Sequence, residues 1–406
     1  MNWWAGNNEQ GNKTMSTSTD AITHFAAKVA AETCAEVSTE IRGQAGFITL
    51  NRPSALNALS LPMIRALNAC LLAWRDDDRV KAVAIRGMSK TGPFGVFCAG
   101  GDIRFFHQAV LTSNPELDDF FTEEYALNHL IHTYPKPTIA FMDGIVMGGG
   151  MGISQGTSFR VVTERTKMAM PETSIGLFPD VGGGYFLSRC PGRAGEWLAL
   201  TGDVITAADA VACGLADGCV DSGNLPSMWE ALGTLSFDSS QDSAVDPVAR
   251  VRTLVATNLI ACGAQLTGAR ADIDTYFSLD SVLEIIQALE AANTSWATQT
   301  AATLRKRSPL MLHVTLTQVR RARSMGVADD LRMERNMVRH CFSTRHLGRS
   351  GAASETMEGI RALAIDKDHS PKWNPARIED ISPEMVLPFF EAPWPASAHP
   401  LRHLAD

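Results

Sequence analysis

Residues 132–162 read HTYPKPTIAFMDGIVMGGGMGISQGTSFRVV. Pro137 opens a short apolar run, PTIAFM, whose β-prone residues predict a buried strand. Asp143-Gly144 ends that run. Gly148-Gly149-Gly150 follows, and MGISQG has the texture of the first turns of a buried helix. Strand, tri-glycine turn and helix start leave backbone N–H groups without partners. Such amides suit an anion or a developing oxyanion. A tri-glycine alone also fits a flexible loop or close helix packing, so the reading depends on what flanks it.

Just downstream, residues 171–189 read PETSIGLFPDVGGGYFLSR. Glu172 and Asp180 stand eight residues apart on a segment stiffened by Pro171 and Pro179 and loosened by Gly182–Gly184. Proline fixes the backbone, and glycine lets it turn sharply or approach a ligand closely. Two acids on such a segment can face one small cavity from different sides. Acid–base or nucleophilic chemistry at a carbonyl needs that arrangement. Two solvated loop acids are the plain alternative.

Upstream, KAVAIRG (81–87) reads as a strand, and VFCAGGDIRFF (96–106) follows a short loop. Ala99-Gly100-Gly101 leads into Asp102, a good N-cap for a helix starting near Ile103. Capping is the favoured role of Asp102, ahead of catalysis. The Gly101 amide, exposed at the turn, would be a second oxyanion donor. Two backbone donors from separate strand–turn–helix units, with two carboxylates on a third loop, make an enzyme constellation.

These residues carry a resemblance. ITLNRPSALNALS (48–60), FCAGGDI (97–103), IAFMDGIVMGGGMGIS (139–154) and MAMPETSIGLFPDVGGGYFLSR (168–189) match the crotonase, or enoyl-CoA hydratase/isomerase, superfamily in order and spacing across roughly residues 40–225. FFTEEYALNHLIHTYPKP (120–137) and the PET…FPDVGGGYFLSR block resemble its 3-hydroxyisobutyryl-CoA hydrolase branch. The resemblance implies an α/β fold, a spiral of ββα turns, with a mostly helical C-terminal region. It implies an acyl-CoA substrate of the short, branched 3-hydroxy class, hydrolysed at its thioester in valine catabolism, with no cofactor beyond the CoA that belongs to the substrate. It assigns the amides of Gly101 and Gly149 to the oxyanion hole. Glu172 falls at the principal acidic position and Asp180 at the second acid of the hydrolase branch. Glu124 matches a further acid of the substrate site, with Glu123 beside it as the other candidate for the inward position. Gly101, Asp102, Ile103 and Arg104 lie where the family binds CoA.

One departure narrows the chemistry. Hydratases of the superfamily add water across a double bond with two glutamates, and the first would fall at Gly152. Glycine does no acid–base chemistry. Dienoyl-CoA isomerases share the Glu/Asp spacing but also carry an acid at that position. Hydrolysis remains the simplest fit, ahead of an enoyl-CoA hydratase or isomerase and of a non-catalytic binding or scaffold protein. A scaffold would be expected to show a degraded Glu172/Asp180 pair and a strong basic stripe. Some members of the superfamily bind RNA, and neither feature is present.

Composition agrees. The 406 residues are 45% hydrophobic, with 36 Lys+Arg against 44 Asp+Glu and a net charge of −8. No basic field for nucleic acid or an anionic membrane follows from that balance, and no partner of either kind is expected. CoA phosphates still need a local basic patch. Arg52, Arg104 and Lys136 are candidates, with Arg320, Arg321 and Arg323 a lesser one. The eight cysteines form no CxxC and no Cys/His metal spacing, so they read as reduced thiols. The ten histidines show no HExxH spacing. His129 and His132 read as packing or surface residues, and no metal is expected. GISQG (152–156) has the spacing of a nucleophile elbow but lies inside a predicted helix rather than on a strand-to-helix turn. No apolar run is long enough to span a membrane.

Three regions are expected. Residues 1–20 are polar and read as a disordered extension, with Met15 a plausible alternative start and an Ala-rich helix over 21–35. Residues 36–225 form the acyl-CoA-binding core. Residues 226–406 form a helical region that covers the core or mediates assembly of copies. Within the core, the pattern predicts a hairpin over 36–50 and a helix over 61–74. Strand 81–87 and helices near 103–111 and 116–133 follow. Strand 138–142, helix 149–156 and strand 159–163 complete the series. Beyond it, helices are expected over 248–263, 280–308, 310–325 and 329–343, and the last 35 residues wrap the surface. A cytoplasmic location is expected for a bacterial protein and the mitochondrial matrix for a eukaryotic one.

Overall fold

The computed structural model describes residues 34–237, 246–263 and 266–406. The expected disordered extension, the Met15 start and most of the 21–35 helix lie outside the described residues.

The chain enters through a hairpin, β1 (Val37–Arg42) and β2 (Ala45–Leu50), paired antiparallel from Arg42↔Ala45 to Val37↔Leu50. Gly43 takes φ +56 at its tip, a conformation that costs glycine little. Ser60 caps the following helix, Leu61–Arg75, by accepting from the Met63 amide. That helix buries Leu61, Ile64, Leu67, Leu71 and Trp74, the three- and four-residue spacing of one helical face.

Then a unit repeats three times. β3 (Ala82–Ser89) turns through β4 (Gly92–Pro93) into β5 (Val96–Cys98). The helices Ile103–Thr112 and Glu116–His132 follow it. β6 (Thr138–Met142) and β7 (Ile145–Met147) precede the helix Gly149–Gln155. β8 (Phe159–Thr163) and β9 (Lys167–Ala169) precede the 3-10 turn Glu172–Ile175 and the helix Gly183–Ser188. Each unit gives one strand to a large sheet and one to a small sheet. The large sheet runs β1-β2-β3-β6-β8-β10-β11, with β10 Gly218–Val220 and β11 Leu259–Ile260. The small sheet is β5-β7-β9, all parallel. This is the expected spiral of ββα turns. The small sheet has no counterpart in the sequence reading, because three-residue strands carry too little alternation to register.

The large sheet is apolar on both faces, as parallel sheets covered on both sides are. Val83, Ile85, Ala140, Met142 and Val162 face the main core. Phe47, Ala82, Ala84, Ile139, Phe141 and Val161 face a second core built with Trp229. Trp229 belongs to the helix Leu225–Thr234, which covers the outer face together with Pro247–Ala256.

Two helical expectations are corrected. The 248–263 segment stops being helical after Ala256, and Leu259–Ile260 pairs antiparallel with β10 instead. The 280–308 segment is two helices, Val282–Ala291 and Ser295–Leu304. Asn293 takes φ +52 between them and Thr294 caps the second, so an Asn-Thr pair within a helical pattern is the break. The helices Pro309–Ala322 and Val327–Phe342 are present as expected. The main core is continuous from Val37 to Leu404, so the C-terminal helices share it rather than stand apart.

Candidate active site

Three parallel strand ends deliver the backbone of the site. β5, β7 and β9 are adjacent, so their C-terminal ends share one edge of the small sheet. Ala99-Gly100-Gly101 leaves the first, Gly148-Gly149 the second and Met170-Pro171-Glu172 the third. Gly100 and Gly148 take φ +113 and +47, so both turns need glycine. Neither the Gly101 nor the Gly149 amide donates to any group among the described residues. The Gly150 Cα packs against the Cys98 backbone so closely that a Cβ would collide with it, which accounts for the third glycine of the run.

Carboxylates meet these turns at contact distance. A Cβ on Gly149 would lie 2.7 Å from Glu124 Oε1, and one on Gly148 2.8 Å from Glu172 Oε1. Glu124 projects from the Glu116–His132 helix and is 2% exposed. Glu123 instead pairs with Arg65 on the neighbouring helix, at 2.9 Å, so Glu124 is the inward residue. Glu172 opens its 3-10 turn and Asp180 follows Pro179; both are buried. Tyr125 OH donates to Asp180 Oδ2 at 2.8 Å. All three acids, both glycines and Arg104 line one cavity of about 750 Å³.

Two oxygens in this cavity are orphans. Glu124 Oε1 and Glu172 Oε2 are buried with no hydrogen-bond partner among the described residues. Buried polar atoms are ordinarily satisfied, and exceptions mark strain, water or function. Burial pushes the Glu172 carboxyl well above the usual range, and the charge of Asp180 adds to it. Glu124 is pushed up by burial, then by Asp180 and Glu172. Burial lifts Asp180 to about 6, opposed by the Tyr125 hydrogen bond. Three close acids in an apolar setting do not all ionise at neutral pH; they titrate as a cluster. A raised pKa also makes Glu172 a stronger base once ionised, poised nearer to neutrality.

The remaining sequence candidates separate by place. Asp102 caps its helix, accepting from Phe105 N at 3.2 Å, and pairs with Arg52 at 2.8 Å. Its carboxylate is therefore occupied at the cavity wall. Arg52 is shared between Asp102 and Glu36. Ile103 and Arg104 line the cavity, and Arg104 is exposed with no partner among the described residues. Lys136 does not: it donates to the carbonyls of Trp74 and Asp77 at 2.5 and 2.8 Å. Arg320 binds the carbonyls of Phe277, Leu279 and Asp280, Arg321 lies over the Phe390 ring, and Arg323 pairs with buried Glu196. All four are structural cations. Ser154 of GISQG is inside its helix, donating to Gly150 O at 2.8 Å, so the segment is no nucleophile elbow. His129 bonds the Ala405 carbonyl and His132 packs edge-on against Tyr185. The eight cysteines are free, with Cys262 exposed and Cys34 and Cys70 half-buried.

At Gly152 a Cβ would lie 2.6 Å from Val181 Cβ and 2.9 Å from Asn128 Nδ2. Val181 and Asn128 occupy the space that an acid there would need.

Some site residues were missed. Tyr125 is one. Leu363 and Ala364, from a π-helical turn at Arg361–Ile365, are others; they close the cavity from the C-terminal region. Gln318, Asp330 and Glu334 stand behind Asp180. Glu334 follows Val327 and Leu331 on the buried stripe of its helix. An acid on an apolar stripe was the one available signal.

Comparison with known proteins places the chain in a family. The family model described as enoyl-CoA hydratase/isomerase matches residues 45–390. A chicken protein (Gallus gallus) named "3-hydroxyisobutyryl-CoA hydrolase, mitochondrial" is 38% identical over 87% of this chain and 88% of its own length. The zebrafish protein (Danio rerio) of the same name is 40% identical over 86% and 88%. Among solved structures, a carnitinyl-CoA dehydratase from Mycobacterium thermoresistibile superposes with TM-score 0.78 at 36% identity, over 88% of this chain and 97% of that one. An enoyl-CoA hydratase from Rhodobacter sphaeroides gives 0.77 at 33% identity, over 88% and 98%.

Proposed function

The chain belongs to the enoyl-CoA hydratase/isomerase family, and within it we infer that it is an acyl-CoA thioester hydrolase acting on 3-hydroxyisobutyryl-CoA, yielding 3-hydroxyisobutyrate and CoA. The observation that carries this reading is the cavity's unsatisfied polar set. Gly101 and Gly149, whose amides donate to no group among the described residues, line the same cavity as Glu172 and Glu124, each of which has a buried oxygen with no partner among them. The amides hold the thioester oxygen as it gains charge. Removal of one such donor ordinarily costs a hundredfold or more in kcat.

Glu172 acts at the carbonyl carbon. As a base it takes a proton from water while the water oxygen bonds to carbon. The C–S bond then breaks and the thiolate takes that proton back. As a nucleophile it forms a mixed anhydride, expels the thiolate and is freed by water. Asp180 accepts the substrate's 3-hydroxyl at the oxygen that Tyr125 leaves open. A buried acceptor left unpaired by an unhydroxylated substrate carries a penalty, which accounts for a preference for 3-hydroxyacyl groups. Glu124 completes the polar wall. Arg104, with no partner among the described residues, is the cation offered to a CoA phosphate, and the chemistry calls for no cofactor beyond the CoA of the substrate.

The curated relatives' names support the substrate, and valine breakdown is the setting in which it arises. Hydration is disfavoured on physical grounds, since an acid at Gly152 has no room. The relatives named mitochondrial favour the matrix for a eukaryotic source, and the cytoplasm is the bacterial counterpart. No helix among the described residues is long and apolar enough to cross a membrane. Free-thiol detection over a panel of acyl-CoAs tests the reading. Fast release from 3-hydroxyisobutyryl-CoA and slower release from isobutyryl-CoA is the expected pattern. No release from either overturns it.

A further inference from the structure

The turn after Asp180 is strained. Val181 takes φ +58 and Gly182 φ +87, so two successive residues are left-handed. Glycine adopts that conformation freely. A buried, β-branched valine does not, and it is a genuine outlier there. Such strain persists only where the surroundings over-determine it, and it gathers at functional sites.

The surroundings that do so come from the far end of the chain. Glu334 Oε2 accepts from Gly182 N at 2.7 Å, and its Oε1 accepts from Gly184 N at 2.9 Å. Asp330 Oδ2 accepts from Tyr185 N at 2.7 Å. Gln318 Nε2 donates to the Pro179 carbonyl at 2.6 Å and to Glu334 Oε1 at 3.0 Å. Asp180 is thus bracketed. Its preceding residue is held by Gln318 and its following turn by Glu334, while Tyr125 holds its carboxylate at 2.8 Å. Gln318, Asp330 and Glu334 are all 0% exposed. Gly184 lies so close to Asp330 Oδ1 that no side chain fits at that position.

The acids themselves fit a clamp. Asp330 Oδ1 is buried without a partner among the described residues, and burial pushes both the Asp330 and the Glu334 carboxyls above the usual carboxylate range. Three backbone amides of the turn donate to the two acids, two to Glu334 and one to Asp330. Burial lifts Asp330 to about 7.

We propose that Glu334, assisted by Gln318, is a positioning residue for Asp180. From the C-terminal helices it holds the strained Val181–Gly182 turn in its left-handed form, and that turn sets where the Asp180 carboxylate faces substrate. The role for Asp180 rests on the hydrolase reading above; the grip on the turn does not.

The test compares wild type, Glu334→Gln, Val181→Gly and the double variant on 3-hydroxyisobutyryl-CoA and isobutyryl-CoA. Glutamine keeps the shape but replaces an acceptor with a donor facing an amide. Glu334→Gln is expected to lower kcat/KM on the hydroxylated substrate about tenfold or more and on the plain one less, so the preference collapses. In the Val181→Gly background the same substitution should cost less, because glycine needs no clamp to stay left-handed. An unchanged preference in Glu334→Gln, or an equal loss in both backgrounds, overturns the proposal. Should Glu334→Gln fail to fold, Gln318→Met provides the same readout from outside the acid pair. A crystal structure of the variant separates this proposal from the functional reading. Val181 outside the left-handed region and a broken Tyr125–Asp180 bond support the clamp, whatever the substrate. An unmoved turn rules it out.

Discussion

The front and the rear of the cavity are built by different means. The front comes from the consecutive stretch from β5 to Asp180, in which three neighbouring strand ends deliver Gly101, Gly149 and Glu172. The rear comes from the helices Pro309–Ala322 and Val327–Phe342, which reach back to hold the turn behind Asp180. Local backbone geometry makes the first, with glycines fixed by close approaches. Long-range burial of polar groups makes the second. In the proposed function the front touches the reacting atoms. The rear, on the proposal above, sets how steadily one of those groups is held.

Substitutions should separate the two. The largest effect belongs to the front. Glu172→Gln is expected to lower kcat by about a hundredfold or more with the fold intact, the scale of a lost general base or nucleophile. Steady-state kinetics with circular dichroism checks this. Retention of a tenth of wild-type kcat would remove Glu172 from both roles. Turnover in heavy-oxygen water then sorts the two routes: label in the Glu172 carboxylate marks the anhydride, and its lasting absence marks the base.

Gly149→Val should come next, at about a hundredfold in kcat. Even its Cβ would sit 2.7 Å from Glu124 Oε1 and 3.3 Å from Leu59, so the side chain displaces the acid as well as the substrate. A folded variant with full activity would exclude the oxyanion role.

Asp180→Asn sharpens the comparison through stability. Burial raises Asp180 from 3.8 to about 6. A carboxyl whose folded pKa is raised favours the fold when protonated, and that contribution is lost as pH rises through about 6. Asparagine never ionises. Thermal melts should therefore show the variant equal to wild type near pH 4 and more stable at pH 8, by at most about 3 kcal/mol, while preference for the hydroxylated substrate falls. Lower stability at pH 8 would show that Asp180 is not a buried charge the fold tolerates for function.

The smallest effect belongs to the rim. Arg104 is exposed and without a partner among the described residues, so Arg104→Gln should raise KM for acyl-CoA a few-fold and leave kcat alone. Salt should narrow the difference, because exposed charges are screened. An unchanged KM at low salt would take Arg104 out of CoA binding.

Legibility followed the same divide. The hairpin, the Leu61–Arg75 helix, the Gly100-Gly101 and Gly148–Gly150 turns and the Glu172/Asp180 segment all stood in local sequence, because glycine, proline and apolar spacing act over a few residues. Asp102 was legible as a cap for the same reason. The small sheet was not, since three-residue strands gain their meaning from neighbours. Lys136 looked like a CoA ligand until its two carbonyl partners were visible. Gln318, Asp330 and Glu334 were hidden most deeply. Their partners are more than 130 residues away in sequence, and a polar residue inside a helix declares no partner in advance. Leu363 and Ala364 close the cavity from the same end of the chain. The helical region expected to cover the core or mediate assembly also holds the turn behind Asp180.

The central claim is that this front performs hydrolysis and not hydration, because Val181 and Asn128 fill the space beside Gly152 where a second glutamate would act. The most direct measurement runs both reactions on one preparation: thiol release from 3-hydroxyisobutyryl-CoA, and loss of the enoyl absorbance of crotonyl-CoA. The account expects rapid thiol release and negligible hydration. Fast hydration with no thiol released would contradict it.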